Sequence, residues 1–166
     1  LKEVIRDNES FGAKKPTICI VEIMGRNAGW LTAAAALAKG DDCTGADAIY
    51  LPEKVFDMDA FMAKVKHLAE TKSSVVIAVS EGIHIADGRY VCELANENVA
   101  VDAFGHKQMS GTAAFLAQKV AEETGLKTRA IELSTLQRSA THLASLPTST
   151  RRSRLDTMRF WRRKKV

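Results

Sequence analysis

The sequence predicts an α/β fold, a three-layer, Rossmann-like parallel sheet with helices on both faces. Three observations carry that expectation. Short β-branched apolar runs recur along the chain, helical repeats separate them, and the strand-like runs give way to glycine, proline or polar turn residues. Strand–helix alternation of this kind feeds a parallel sheet through right-handed crossovers.

Leu1 to Ser10 has a helical pattern of mixed charge. Thr17 to Ile23 is a continuous apolar run, the mark of a strand buried on both faces. Trp30 to Ala38, rich in Ala and Leu, predicts a helix that Lys39-Gly40 ends. Ala48 to Leu51 is the second strand, stopped by Pro52. From Asp57 to Glu70, residues Met58, Phe61, Met62, Val65 and Leu68 fall at helical spacing behind a capping aspartate. Ser74 to Val79 is the third strand. Residues 84–107 read as loop, Gln108 to Thr124 as a helix ended by Gly125, and Thr128 to Leu133 as the fourth strand. A short helix is expected after Gln137. Ligands of such sheets sit beyond the carboxyl ends of the strands, so functional residues are sought there.

Composition bounds the function. The 166 residues, 46% hydrophobic, suffice for one domain with a real core. No run of eighteen apolar residues occurs, so no membrane span is expected. The first ten residues lack the apolar centre of a signal peptide. Cys19, Cys43 and Cys92 show neither zinc nor redox spacing and read as reduced structural thiols, which fits a cytoplasmic protein. The net charge of +4 conceals an asymmetry: residues 147–166 carry +7 and the remainder −3. A basic tail admits nucleic acid or anionic lipid as a partner.

The first strand runs into Met24-Gly25-Arg26-Asn27-Ala28-Gly29. Glycines there allow close approach of a ligand, a helix start offers N–H groups, and Arg26 adds a planar fork for phosphate or carboxylate. The plainer reading is a strand-to-helix turn with a surface arginine. Glu53 after the second strand reads as a surface carboxylate. Glu81, in Ser80-Glu81-Gly82 after the third, is placed to accept hydrogen bonds from sugar hydroxyls. Arg129 and Arg138 are either further anion-binding groups or solvated surface residues. His106, in the loop from Asp102 to Lys107, is a ligand, a base or neither. Arginines, glycines and a carboxylate at strand ends suit a sugar phosphate better than DNA or lipid.

Taken together and in order, Met24-Gly25-Arg26-Asn27-Ala28-Gly29-Trp30, Leu51-Pro52-Glu53, Ser80-Glu81-Gly82, the stretch from Asp102 to Gly111, Thr128-Arg129 and Leu136-Gln137-Arg138 resemble the 6-phosphofructokinase family across residues 1–146. Trp30, the loop from Asp87 to Gly111 and Gln137-Arg138-Ser139-Ala140 resemble its pyrophosphate-dependent branch more than the short ATP-dependent bacterial enzymes. The resemblance implies transfer of a phosphoryl group from pyrophosphate or ATP to fructose 6-phosphate, with Met24, Gly25 and Arg26 on the sugar phosphate, Glu81 on the sugar and Arg138 on the phosphate. It implies that Arg129 reaches the phosphate bound to a neighbouring subunit, so that the complete enzyme is a homo-oligomer. The sequence departs from the family at Thr135, where many members have His, and at Ser139-Ala140, where many have Gly-Gly. A second cross-subunit arginine falls near Thr17, with Lys14 or Lys15 as substitutes.

The family's Gly-Gly-Asp donor loop, its Thr-Ile-Asp catalytic segment and its magnesium ligands have no counterpart in these residues. The resemblance therefore implies no catalytic or metal residue in this stretch, Mg2+ in the complete enzyme, and a fragment inactive alone. A noncatalytic sugar-phosphate-binding module, or a basic-tailed nucleic-acid binder, is the alternative. From Pro147 the tail breaks with the family. Shifting the frame by one base restores a string close to Thr-Asp-Val-Asp-Glu-Ala, Ala-Gly-Tyr and Ala-Ala, so residues 147–166 are expected to be frame-shifted and non-native.

Overall fold

A computed structural model of the chain describes residues 1–11, 15–94 and 111–139. The chain divides into two compact units, Leu1–Ser134 and Thr135–Val166. The first holds the α/β fold, and the second begins within the last described helix. Helix α1 (Lys2–Ser10) is followed by β1 (Thr17–Ile23), α2 (Trp30–Ala33) with a 3-10 turn (Ala34–Ala38), and β2 (Ala48–Tyr50). Then come α3 (Met58–Thr71), β3 (Ser74–Ser80), a 3-10 turn (Val91–Leu94), α4 (Thr112–Thr124), β4 (Lys127–Glu132) and α5 (Ser134–Ser139). The four strands are parallel, in the order β2-β3-β1-β4.

This order explains the layers. The chain steps one way across the sheet from β1 to β2 and the opposite way from β2 to β3 and from β3 to β4. Crossovers of one hand then place α2 on one face and α3 and α4 on the other. The core divides accordingly. Ile18 and Ile20 of β1 pack with Val75, Ile77 and Val79 of β3 beneath α3 and α4. Cys19, Val21 and Ile23 pack with Val76 and Ala78 beneath Ile5 of α1 and beneath Ala35 and Ala38. All seven residues of β1 are buried, as expected of a strand covered on both faces.

Local chemistry sets the helix ends. The Asp57 carboxylate accepts the amides of Asp59 and Ala60 at 2.9 and 3.0 Å and starts α3, which buries Phe61, Met62, Val65 and Leu68. Gly111 and Gly125 take positive φ at the two ends of α4.

The structure differs from the expected elements in several places. The helix expected over Trp30 to Ala38 is α-helical for one turn only and continues as 3-10. Its buried residues, Thr32, Ala35 and Ala38, recur every third position, which is the 3-10 repeat. Trp30 and Leu37 stay 83% and 82% exposed. The last helix begins at Ser134 rather than after Gln137. The segment after Ile83 is not all loop: His84 bridges Tyr90, and Val91–Leu94 forms the 3-10 turn. The helix expected from Gln108 begins at Thr112, because Gly111 ahead of it takes φ +97°. Residues 95–110, with His106, and the tail from 140 lie outside the described residues. The cysteines are free and buried. Burial pushes the Cys19 thiol up to about 11.

Candidate functional site

β1 and β3 are neighbours whose chains leave the sheet toward opposite faces. That makes the crevice between their carboxyl ends the topological switch point, where open parallel sheets hold ligands. Met24-Gly25-Arg26 leaves one side of the crevice and Ser80-Glu81-Gly82 the other.

The two turns are joined backbone to backbone. Ile23 and Ser80 are in register, and the Glu81 amide donates to the Ile23 carbonyl at 3.1 Å. The Ser80 hydroxyl donates to the Gly25 carbonyl at 2.5 Å. A Cβ on Gly82 would lie 1.8 Å from the Arg26 carbonyl oxygen, so only glycine fits there. Gly25 has φ +147°, and a Cβ there would meet the Ala28 carbonyl at 2.8 Å. Met24, Gly25, Arg26 and Glu81 are all partly buried. The structure thus brings together the sequence-predicted residues at positions 24, 25, 26 and 81.

The helix start does not supply what the sequence reading expected. α2 is a single α-helical turn before the chain tightens into 3-10. The Gly29 amide is already taken, donating to the Glu53 Oε1 at 2.6 Å. Glu53, read from sequence as a surface carboxylate, reaches across from the end of β2 to do this.

Sequence reasoning passed over Glu22, the acid inside the apolar run of β1. It is 6% exposed, and its carboxylate accepts the Ala113 amide at the start of α4 at 2.9 Å. Burial pushes Glu22 up to about 7, the Glu132 and Glu81 charges add to that, and the Ala113 and Gly111 amides oppose it. The Thr112 hydroxyl, beside Ala113, donates to the Glu81 carbonyl at 3.3 Å. The first turn of α4 therefore touches both Glu22 and the backbone of Glu81. The signal available in sequence was a lone carboxylate inside an otherwise apolar strand.

Arg129 stands elsewhere. It pairs with Cys19 in register, four positions before Ile23, roughly 13 Å along the strand. Its guanidinium donates to Asp7 at 2.8 Å and Asn8 at 3.3 Å of α1, and lies 4.3 Å from the centre of the Phe11 ring. Asn8 is itself fixed, donating to the Ser74 hydroxyl at 2.7 Å. Within one chain Arg129 faces α1, not the crevice. Thr17, near which the resemblance puts a second cross-subunit arginine, is buried at the start of β1. Lys14 lies outside the described residues. Arg138 lies on α5, in the second unit, and its side chain is outside what the structure describes.

Among the described residues no group of three or more His, Cys, Asp or Glu side chains is arranged to hold a metal ion. The described residues therefore do not fit a magnesium site. Among the described residues no helix is long and apolar enough to cross a membrane.

The chain is similar to known proteins. The family model described as phosphofructokinase matches residues 3–145. The chain is 41% identical over 145 residues to a pyrophosphate–fructose 6-phosphate 1-phosphotransferase of Xanthomonas campestris, covering 87% of the chain and 34% of that protein. It is 43% identical over 137 residues to the protein of the same name from Rhodospirillum rubrum, covering 80% and 33%. The fold superposes on a pyrophosphate-dependent phosphofructokinase from Nitrosospira multiformis with a TM-score of 0.68 at 29% identity, over 90% of this chain and 33% of that one. The chain thus spans about a third of the length of the curated relatives it matches. A match over nearly all of the described fold, with the motif order intact, shows that the chain belongs to the phosphofructokinase family.

Proposed function

We propose that this chain forms the sugar-phosphate-binding part of a pyrophosphate-dependent phosphofructokinase, the enzyme that transfers a phosphoryl group to fructose 6-phosphate to give fructose 1,6-bisphosphate. The observation that carries the reading is the switch-point crevice, in which the Met24-Gly25-Arg26 turn and the Glu81 turn are locked together. The names of the relatives point to the same substrate and donor. Glu81 accepts hydrogen bonds from the sugar hydroxyls. The Met24-Gly25 backbone lets the sugar approach closely, and Arg26 pairs with its anionic group. Arg138 adds to the phosphate contacts. Arg129, turned away from its own crevice, serves the phosphate held by a second subunit, which makes the complete enzyme a homo-oligomer with a shared site.

The work of these residues is binding and orientation of the acceptor. The base that takes the sugar hydroxyl proton, the phosphoryl donor (pyrophosphate or ATP) and Mg2+ belong to other parts of a complete cytoplasmic enzyme. Residues 1–146 are the binding domain of this reading, and residues 147–166 its frame-shifted tail.

Calorimetric titration of the chain with fructose 6-phosphate, fructose and inorganic phosphate tests the reading. Binding of fructose 6-phosphate that exceeds both other ligands and is lost in Arg26→Ala and Glu81→Gln supports it. Equal binding of inorganic phosphate reduces the crevice to a general anion site. Formation of fructose 1,6-bisphosphate by the isolated chain would overturn the assignment of the base to other parts.

A further inference from the structure

The turn that carries Arg26 is tied at both ends, and the outer tie comes from a residue with no role in the reading above. At the inner end the Ser80 hydroxyl holds the Gly25 carbonyl at 2.5 Å. At the outer end Glu53 holds the Gly29 amide at 2.6 Å. β3 separates β2 from β1 in the sheet, so Glu53 reaches across one whole strand position. The approach is tight: a Cβ on Gly29 would lie 2.7 Å from Glu53 Oε2, 2.8 Å from Pro52 Cδ and 3.0 Å from Leu51 Cδ2. Pro52 is buried and fixes the backbone from which Glu53 projects.

A carboxylate this close to an anion-binding turn repels the anion, so its place there calls for an offsetting task. Here the task is visible, since a carboxylate accepting a backbone amide makes a charge-assisted bond. We infer that Glu53 is a positioning residue for the ligand of the crevice: by holding Gly29 from the end of β2, it fixes the direction in which the turn presents Arg26. The inference rests on the reading of the crevice as a fructose 6-phosphate site.

Three variants of the full 166-residue chain separate the tie from the charge. Glu53→Gln keeps an acceptor of the same reach without charge. Glu53→Asp keeps the charge and loses the reach. Glu53→Ala loses both. Glu53 is exposed and outside the core, and the Asp and Gln variants keep the test decisive if the alanine variant does not fold. Titration with fructose 6-phosphate should show affinity falling about tenfold in Glu53→Ala and Glu53→Asp while Glu53→Gln stays within about threefold of the parent. The Gly29 amide resonance should move upfield in the alanine and aspartate variants and hold near its parent position in glutamine. Parent-like affinity in Glu53→Ala or in Glu53→Asp overturns the inference and leaves the substrate reading intact. So does a loss in Glu53→Gln as large as in Glu53→Ala, because charge, not the tie, would then be at work. No binding of fructose 6-phosphate by the parent chain overturns the substrate reading and the inference with it.

Discussion

Two residues that look unremarkable in sequence, Gly82 and Glu22, set the sharpest constraints on the site. A methyl group on Gly82 collides with the Arg26 carbonyl at 1.8 Å, and that neighbour is backbone, which cannot rotate away. Gly82→Ala must part the two turns. The expected cost is about 2 kcal/mol or more, read from urea unfolding, together with loss of fructose 6-phosphate affinity. Unchanged stability would mean that the turns are not in contact. Glu22 governs a pH dependence. Its folded value of about 7 stands above the ordinary 4.5. Between those values the folded chain keeps a proton that the unfolded chain has released. The protonated group's advantage is thus full below about 4.5 and is lost as pH rises through 7, an effect of roughly 3 kcal/mol. Glu22→Gln removes this slope. Against the parent, the variant should gain more stability at pH 8 than at pH 5, and an equal difference at both would refute the assignment. Neither residue's role was legible in sequence. The partner of Gly82 lies in a turn 56 positions earlier, and that of Glu22 lies 91 positions later on another helix.

Elements were legible where their signals are local. α3 shows this: a capping aspartate, apolar residues at helical spacing and a closing polar turn all lie within its own stretch. Asp57→Ala should therefore destabilise the chain by about 1 kcal/mol, seen as a lowered denaturation midpoint with an unchanged slope. A loss much smaller than that would show α3 held by its buried face alone. β1 was legible because a strand covered on both faces has no polar alternation to confuse. The stretch from Trp30 to Ala38 was misread because its composition favours a helix of any pitch. The choice of 3-10 over α comes from which alanines meet the sheet, and that is a tertiary fact. The same limit applies to the site. Position beyond a strand end follows from topology, so Met24, Gly25, Arg26 and Glu81 were found together. The Glu53 brace depends on the distance between β1 and β2, which no local pattern encodes.

At the scale of the whole molecule, charge and core lie in different parts of the chain. Every buried apolar residue among the described ones falls between Ile5 and Val120, while residues 147–166 carry +7 against −3 elsewhere. Deleting residues 147–166 should then leave the unfolding midpoint unchanged and make the chain net acidic. Any affinity for nucleic acid should be carried by the deleted part. Eight lysines and arginines predict binding that weakens steeply between 50 and 200 mM salt, by about a thousandfold or more if most of them meet phosphates. Fluorescence anisotropy with labelled duplexes of unrelated sequence measures this. Equal affinity for all duplexes, lost on truncation, marks a cationic accident and agrees with a shifted frame. A strong preference for one duplex that persists at 200 mM salt marks an evolved function and refutes the frame-shift. The gene decides from the other side: restoring one base near Leu146 must give an open frame that encodes the Asp-Val-Asp-Glu-Ala helix, and a stop codon in that frame refutes the frame-shift.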